Sequence, residues 1–175
     1  HGTAEEMHEG GARPLSEIAR QPAFIVALLS AVVGYAVMSF VMTATPLAVM
    51  GCQHGFDDAA FVIEWHILGM FVPSFFTGSL IARFGVLNVM LAGIALLAAC
   101  VGINLAGTSV ANFWAGLVAL GVGWNFLYIG GTTLLTRVHA PAERAKTQGL
   151  NEFLVFGSSA AASLSAGAVQ NALGW

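Results

Sequence analysis

Five long apolar stretches dominate this 175-residue chain and constrain its fold more than any other feature. A helix needs about 20 largely apolar residues to cross the hydrocarbon core of a bilayer. The stretches meet that length, since they run over 22–50, 59–82, 86–107, 110–136 and 148–170. They lack the apolar and polar alternation of barrel strands. The sequence therefore predicts an all-α membrane protein with five transmembrane helices.

The composition excludes several other classes of protein. Only 9% of the residues are charged and 57% are hydrophobic, whereas soluble domains carry about 25% charged residues. A net charge of −3 offers no basic surface for nucleic acid. The two cysteines form no CxxC pair that would indicate a zinc or redox site. Since no nucleotide-binding loop or catalytic triad is present either, we do not expect an enzyme.

The cationic residues predict the orientation of the spans. All six lie before the first stretch, after the second or after the fourth, at Arg13, Arg20, Arg83, Arg137, Arg144 and Lys146. With five spans these three places fall on one side, and cationic loops mark the cytoplasmic side. We therefore expect a cytoplasmic linker over 1–21 and a transmembrane bundle over 22–175. Within the linker, residues 15–21 predict a short helix with Ser16 as its cap.

Two loop sequences carry a resemblance to a known family. The stretch GSLIARFG at 78–85 resembles the signature loop of the major facilitator superfamily, and PAERAKTQG at 141–149 resembles its segment between helices 10 and 11. The resemblance implies helices 7 to 11 of a C-terminal half that lacks its last helix. It further implies a bacterial inner membrane, surrounding lipid and an N-terminal six-helix half as partner. The acidic residue usual in the signature is replaced by Ala82.

Two pairs of soft ligands lie at helical spacing inside the first two spans. Met38 and Met42 are four residues apart, as are His66 and Met70, so each pair shares one helix face. Counted at about 1.5 Å per residue, the pairs overlap in depth on adjacent antiparallel helices. Thioether sulfur suits Cu(I), whereas zinc prefers thiolates or several histidines. These residues are therefore candidate copper ligands, although methionine also fills gaps in helix packing.

The MxxxM and HxxxM pairs resemble the paired signature of the CcoA-like copper transporters, a branch of the same superfamily. That resemblance implies import of copper as Cu(I) for cytochrome c oxidase assembly, with Met38, Met42, His66 and Met70 as ligands. No cofactor is then permanently bound, because copper is the transported ion. A cytoplasmic copper chaperone or exporting ATPase would receive it.

Further residues are weaker candidates. Those for an outer capture site are Met50, Cys52 and His54. Those for the lining of a transport path are Glu64, Trp124, Asn125 and Tyr128. An ordinary loop, a snorkelling carboxylate and helix–helix contact explain the same residues. For Glu152 we expect an ion pair with Arg144 or Lys146.

Two other functions remain open from the sequence. The first is a transporter of an organic solute such as riboflavin, with Trp124, Asn125 and Tyr128 in its site and the Met pairs as packing. The second is a membrane assembly factor that transports nothing.

Overall fold

The computed structural model describes residues 13–173, and over this range the chain is a bundle of helices with short connectors. The helices are α1 Leu15–Ala19, α2 Pro22–Gly51, α3 Phe56–Phe71, α4 Ser74–Phe84, α5 Val86–Ala106, α6 Val110–Leu135 and α7 Arg144–Leu173. A single 3-10 turn, Pro141–Glu143, precedes α7. No strand occurs within the described range.

Five candidate membrane spans follow from these helices. Four of them, α2, α5, α6 and α7 with its preceding turn, are each long and apolar enough to cross a membrane. The pair α3 and α4 forms the fifth span, which is bent by 44° between its two parts. The predicted all-α fold is thus confirmed. The last helix begins at Arg144, earlier than the apolar stretch, because its polar first turn is helical as well.

The bend is a feature that the hydropathy of the sequence did not predict. Helix α3 ends at Phe71, and Pro73 stands at the N-cap of α4. Proline has no N–H group, so the carbonyl four residues before it loses its helical donor. A break in the middle of an apolar span leaves polar backbone groups that need other partners.

Helix α6 is the centre of the bundle and contacts α2, α3 and α5. Glycines let these helices approach closely on different sides of α6. A Cβ at Gly121 would lie 2.5 Å from the carbonyl oxygen of His66 in α3. A Cβ at Gly123 would lie 2.9 Å from the carbonyl oxygen of Gly93 in α5. The small residues of α6 are therefore packing residues.

Helix α7 packs on α2 through pairs of hydroxyl groups. The hydroxyl groups of Ser39 and Ser159 share one hydrogen bond, and those of Thr43 and Ser163 share another at 2.8 Å. Such side chains join helices in an apolar environment. Because α2 packs on both α6 and α7, these three helices border a common cavity.

The segment before α2 is attached to the end of the bundle where α6 ends and α7 begins. The short helix predicted there is confirmed as α1, but its N-cap is Pro14 rather than Ser16. Arg13 forms an ion pair with the buried Glu143 at 2.7 Å and donates to the carbonyl of Val138 at 3.0 Å. Hydrogen bonding to Glu143 raises the pKa of the Arg13 guanidinium. The linker and the α6–α7 connection therefore lie at the same end of the bundle, and residues 1–12 of the predicted linker lie outside the described residues.

Candidate functional site

Four aromatic rings from three helices form one cluster. Trp124 and Tyr128 are one turn apart on α6 and stack with centroids 4.9 Å apart and an interplanar angle of 7°. Tyr35 of α2 meets both rings edge-on, at 5.3 and 5.8 Å. Phe156 of α7 lies 5.8 Å from Tyr35. The cluster, defined as Tyr35, Trp124, Tyr128 and Phe156, joins the three helices halfway along the bundle.

A small cavity adjoins this aromatic cluster. It has a volume of about 140 Å³ and lies between α2, α6 and α7. Its lining consists of Ala31, Tyr35, Tyr128, Gly131, Thr132, Leu135, Gln148, Asn151, Glu152 and Val155. Sites for drug-sized ligands usually measure about 300–1,000 Å³. The cavity can therefore enclose only part of such a ligand.

The polar wall of the cavity belongs to α7. Gln148, Asn151 and Glu152 are three and four residues apart, so they share one face of this helix. With a rise of about 1.5 Å per residue, Glu152 lies about 12 Å along α7 from its first residue. Glu152 is thus one turn inside the apolar stretch that begins at 148, and ionisable groups within a span are usually functional. The cavity thus combines aromatic faces with amide and carboxylate groups.

The expected ion pair of Glu152 with a neighbouring cation is not formed. Arg144 donates instead to the side-chain oxygen of Gln148 at 3.4 Å, and Lys146 donates to the backbone carbonyl of Arg13. Within residues 13–173, the ion pair between Arg13 and Glu143 is the only one. The carboxylate of Glu152 accepts only a long contact of 3.5 Å from the Asn151 amide.

The predicted copper ligands lie on α2, which packs on α6 and α7, and on α3, which packs mainly on α6. His66 is buried and its Nδ1 donates to the carbonyl of Leu117 in α6 at 3.0 Å. Its Nε2 has no hydrogen-bond partner among the described residues. Met42 packs against the hydrophobic core, and Met38 and Met70 are half-buried. That the four side chains share one ion stays a prediction.

The predicted outer capture site is a connection between loops. His54 Nε2 donates to the carbonyl of Thr108 at 2.7 Å, and its ring meets Phe113 edge-on at 6.2 Å. Met50 is exposed and Cys52 is half-buried. In the part of the chain that the structure describes, no group of three or more His, Cys, Asp or Glu side chains could hold a metal ion.

The structure separates two neighbouring path candidates on α6. Trp124 and Tyr128 belong to the aromatic cluster, whereas the side chain of Asn125 is hydrogen-bonded at the break between α3 and α4. Its amide nitrogen donates to the Met70 carbonyl at 2.7 Å and to the Ser74 hydroxyl at 2.6 Å. Its amide oxygen accepts from the Thr77 hydroxyl at 2.7 Å. Asn125 therefore gives the broken span the polar partners that the break requires.

Several cavity residues did not emerge as path candidates from the sequence: Tyr35, Thr132, Gln148, Asn151 and Glu152. A signal for the α7 residues was present, since amides and a carboxylate at helical spacing inside a span are uncommon. The path candidate Glu64 is exposed, as Glu152 is, but it lies on α3, which does not line the cavity.

Three known proteins resemble the chain. A riboflavin transporter, RfnT of Brucella anthropi, is 49% identical over 169 residues, which are 97% of this chain and 42% of the relative. An uncharacterized MFS-type transporter of Bacillus subtilis, YddS, is 38% identical over 76% of the chain and 31% of its own length. A second one from that organism, YdeG, is 36% identical over 71% of the chain and 30% of its own length. No family model and no solved structure matches the chain.

The chain spans less than half the length of these curated relatives. The relatives support the resemblance to the major facilitator superfamily but not the finer resemblance to CcoA-like copper transporters. Copper import and oxidase assembly are likewise unsupported, and transporters of this kind are generally not enzymes. The spans and the relatives together show that the chain is an all-α, multi-pass membrane segment that is homologous to part of the MFS-type transporters.

Proposed function

We propose that the chain is part of a secondary transporter for a planar, uncharged organic solute such as riboflavin. The cavity between α2, α6 and α7 is then this segment's share of the binding site. The observation that carries the proposal is the aromatic cluster beside a polar cavity wall. The riboflavin transporter at 49% identity supports the choice of solute.

The aromatic cluster suits a flat heteroaromatic ring. Trp124 is buried at 7% exposure, whereas Tyr128, stacked on it, is 41% exposed and lines the cavity. A planar ring placed against Tyr128 extends an existing stack whose inner ring is already held in place. Aromatic stacking of this kind contributes about 0.5–1.5 kcal/mol per pair beyond the area that is buried. Little reorganisation is needed, because Tyr35 supports both rings by edge contacts.

The polar wall suits the rest of such a solute. Riboflavin carries hydrogen-bonding groups on its ring edge and several hydroxyl groups on its side chain. The amides of Gln148 and Asn151 and the hydroxyl of Thr132 can each donate and accept hydrogen bonds. In a partly apolar cavity these groups favour a solute that satisfies them over one that leaves them unpaired.

The remaining part of the site belongs to the rest of the transporter. A cavity of about 140 Å³ is smaller than drug-sized ligands require. In transporters of this architecture the substrate binds near the membrane midplane between two halves that rock against each other. We therefore place an N-terminal six-helix half opposite the cavity, in a bacterial inner membrane with the linker on the cytoplasmic side.

The experiment measures uptake of radiolabelled riboflavin by the full-length transporter in cells that cannot synthesise riboflavin. We expect uptake in the wild type and a reduction of roughly tenfold in Tyr128→Ala, since stacking on an aromatic side chain is worth about 1–3 kcal/mol. Tyr128→Phe should retain most of the uptake. Phe153→Ala is the matched control, because Phe153 is an aromatic residue of α7 that is 75% exposed and does not line the cavity. A wild type that takes up no riboflavin, or a Tyr128→Ala variant with normal uptake, contradicts the proposal.

Copper import is the second candidate, and one observation favours it. The buried Nε2 of His66 has no partner among the described residues, as a nitrogen kept for a ligand would. Met70 follows it at one helical turn, and Met38 and Met42 are the other proposed ligands. The test is radioactive copper uptake by the full-length protein. Import through this site requires that a His66→Ala, Met70→Ala double variant loses uptake while it still inserts in the membrane.

A further inference from the structure

The cavity wall carries a single charge. Among the residues that line the cavity, Glu152 is the only one with a charged side chain. The others are aromatic, aliphatic, hydroxyl or amide residues or glycine. A solute that enters the cavity therefore meets one negative charge and no positive one from this wall.

No cation of the described chain neutralises Glu152. On its own helix, Arg144 binds the oxygen of Gln148, and Lys146 binds the carbonyl of Arg13. From α2 and α6, the titratable groups beside the cavity are the phenols of Tyr35 and Tyr128, which carry no positive charge. The carboxylate oxygens of Glu152 thus remain available for hydrogen bonds to whatever occupies the cavity.

A carboxylate without an ion pair discriminates between a hydroxylated solute and the phosphate ester of that solute. It accepts charge-assisted hydrogen bonds from hydroxyl groups, which are stronger than those between neutral groups. It repels a phosphate ester, which carries about −1.5 to −2 charges at pH 7. Repulsion between like charges is larger in a partly apolar cavity than in water.

We infer that Glu152 is a specificity-determining residue that selects uncharged, polyhydroxylated heteroaromatic solutes and rejects their phosphate esters. The inference rests on the proposed function, because it assigns the cavity to such a solute. For the flavins it means that riboflavin is accepted and riboflavin 5′-phosphate is excluded. Glu152 acts on the solute directly, through hydrogen bonds to its hydroxyl groups and through repulsion of its phosphate.

The experiment uses the full-length transporter in proteoliposomes, where no phosphatase converts one flavin into the other. Uptake of radiolabelled riboflavin is measured against unlabelled riboflavin and unlabelled riboflavin 5′-phosphate as competitors. The ratio of the two inhibition constants is obtained within each variant, so differences in protein abundance cancel. We expect the phosphate ester to compete at least roughly tenfold more weakly than riboflavin in the wild type.

Four variants test the role of the charge. Glu152→Gln keeps a hydrogen-bond acceptor but removes the charge, and it should reduce discrimination against the phosphate ester by roughly tenfold. Glu152→Asp retains the charge and should retain discrimination. Gln148→Lys adds a cation to the same wall and should reduce discrimination without altering Glu152. Glu64→Gln is the matched control, because it removes a carboxylate of α3 that lies outside the cavity lining.

The outcomes separate this inference from the proposed function. A wild type that takes up no riboflavin contradicts the proposed function itself. If the wild type takes up riboflavin and the phosphate ester competes equally well, the inference is overturned and the proposed function stands. The same holds if Glu152→Gln and Gln148→Lys both keep the wild-type ratio.

Discussion

The two sides of α6 meet the neighbouring helices in different ways. On the side of α3 and α5, glycines bring backbones into contact and Asn125 satisfies the break in the neighbouring span. On the side of α2 and α7, the next residue back, Trp124, begins an aromatic stack that ends in a polar cavity. The grooves on the first side are open and mostly apolar, whereas the cavity on the second side has a polar wall. We expect substitutions on the packed side to change stability, and those on the cavity side to change transport.

The largest effect is expected at Gly121 on the packed side. A Cβ there would lie 2.5 Å from the His66 carbonyl oxygen and 3.0 Å from two backbone atoms of α3, none of which can move alone. Gly121→Leu should therefore separate α6 from α3 and cost about 1–3 kcal/mol or more. The thermal midpoint of the purified full-length protein measures this. Gly167→Ala is the control, because a Cβ at Gly167 meets nothing within 4 Å. Equal stability of the two variants would contradict the close packing of α6 on α3.

A smaller effect is expected for Asn125→Leu, also on the packed side. The substitution removes the Asn125 donor from the Met70 carbonyl, which keeps only a long contact of 3.5 Å from the Ser74 hydroxyl, at a cost of about 1 kcal/mol for the lost hydrogen bond. Thermal stability should fall, while the KM for riboflavin uptake should stay near that of the wild type. Asn88→Leu provides the matched control, because Asn88 is an exposed asparagine that binds only the Phe84 carbonyl. A change in KM without a loss of stability would show that Asn125 contributes to substrate binding rather than to packing.

The smallest effect is expected where α2 meets α7. Thr43→Val removes the hydroxyl that bonds to Ser163 while it keeps the shape of the side chain. Hydrogen bonds between membrane helices average about 0.6 kcal/mol in double-mutant cycles. A cycle with Ser163→Ala, read from thermal stability, should give a coupling of this size. A coupling several times larger would show that the cavity side is held as firmly as the packed side.

The sequence predicted the spans well because hydropathy is a local property that the bilayer makes decisive. It did not predict the bend at Pro73. A continuous apolar run predicts one helix, and only the structure shows which groups bind the backbone carbonyls at a break. Asn125, the residue that makes the break tolerable, is distant in sequence and became identifiable only through the packing of α6. The composition of a span thus predicts where the chain crosses the membrane, but not where its helix is broken.

The site was harder to predict because it depends on the rotation of each helix about its axis. Helix α2 is apolar on nearly every side, so its sequence does not indicate which face is buried, and the significance of Tyr35 was not apparent. The methionine and histidine pairs matched a copper motif by spacing alone. Spacing places two side chains on one helix face but does not show which neighbour that face meets. In the structure the His66 ring is hydrogen-bonded to α6. The alternative with Trp124 and Tyr128 was open from the sequence, whereas the polar residues of α7 gave a signal that did not show which helices they face.

The attachment of Arg13 to Glu143 has a mechanical consequence. The chain ahead of α2 is held by an ion pair and by hydrogen bonds to the connection between α6 and α7. Gln21 adds a further bond to the same Val138 carbonyl. Tension that reaches Arg13 along the backbone is therefore delivered to the base of the two helices that border the cavity. The attachment thus connects the polypeptide ahead of α2 directly to the two helices that border the cavity.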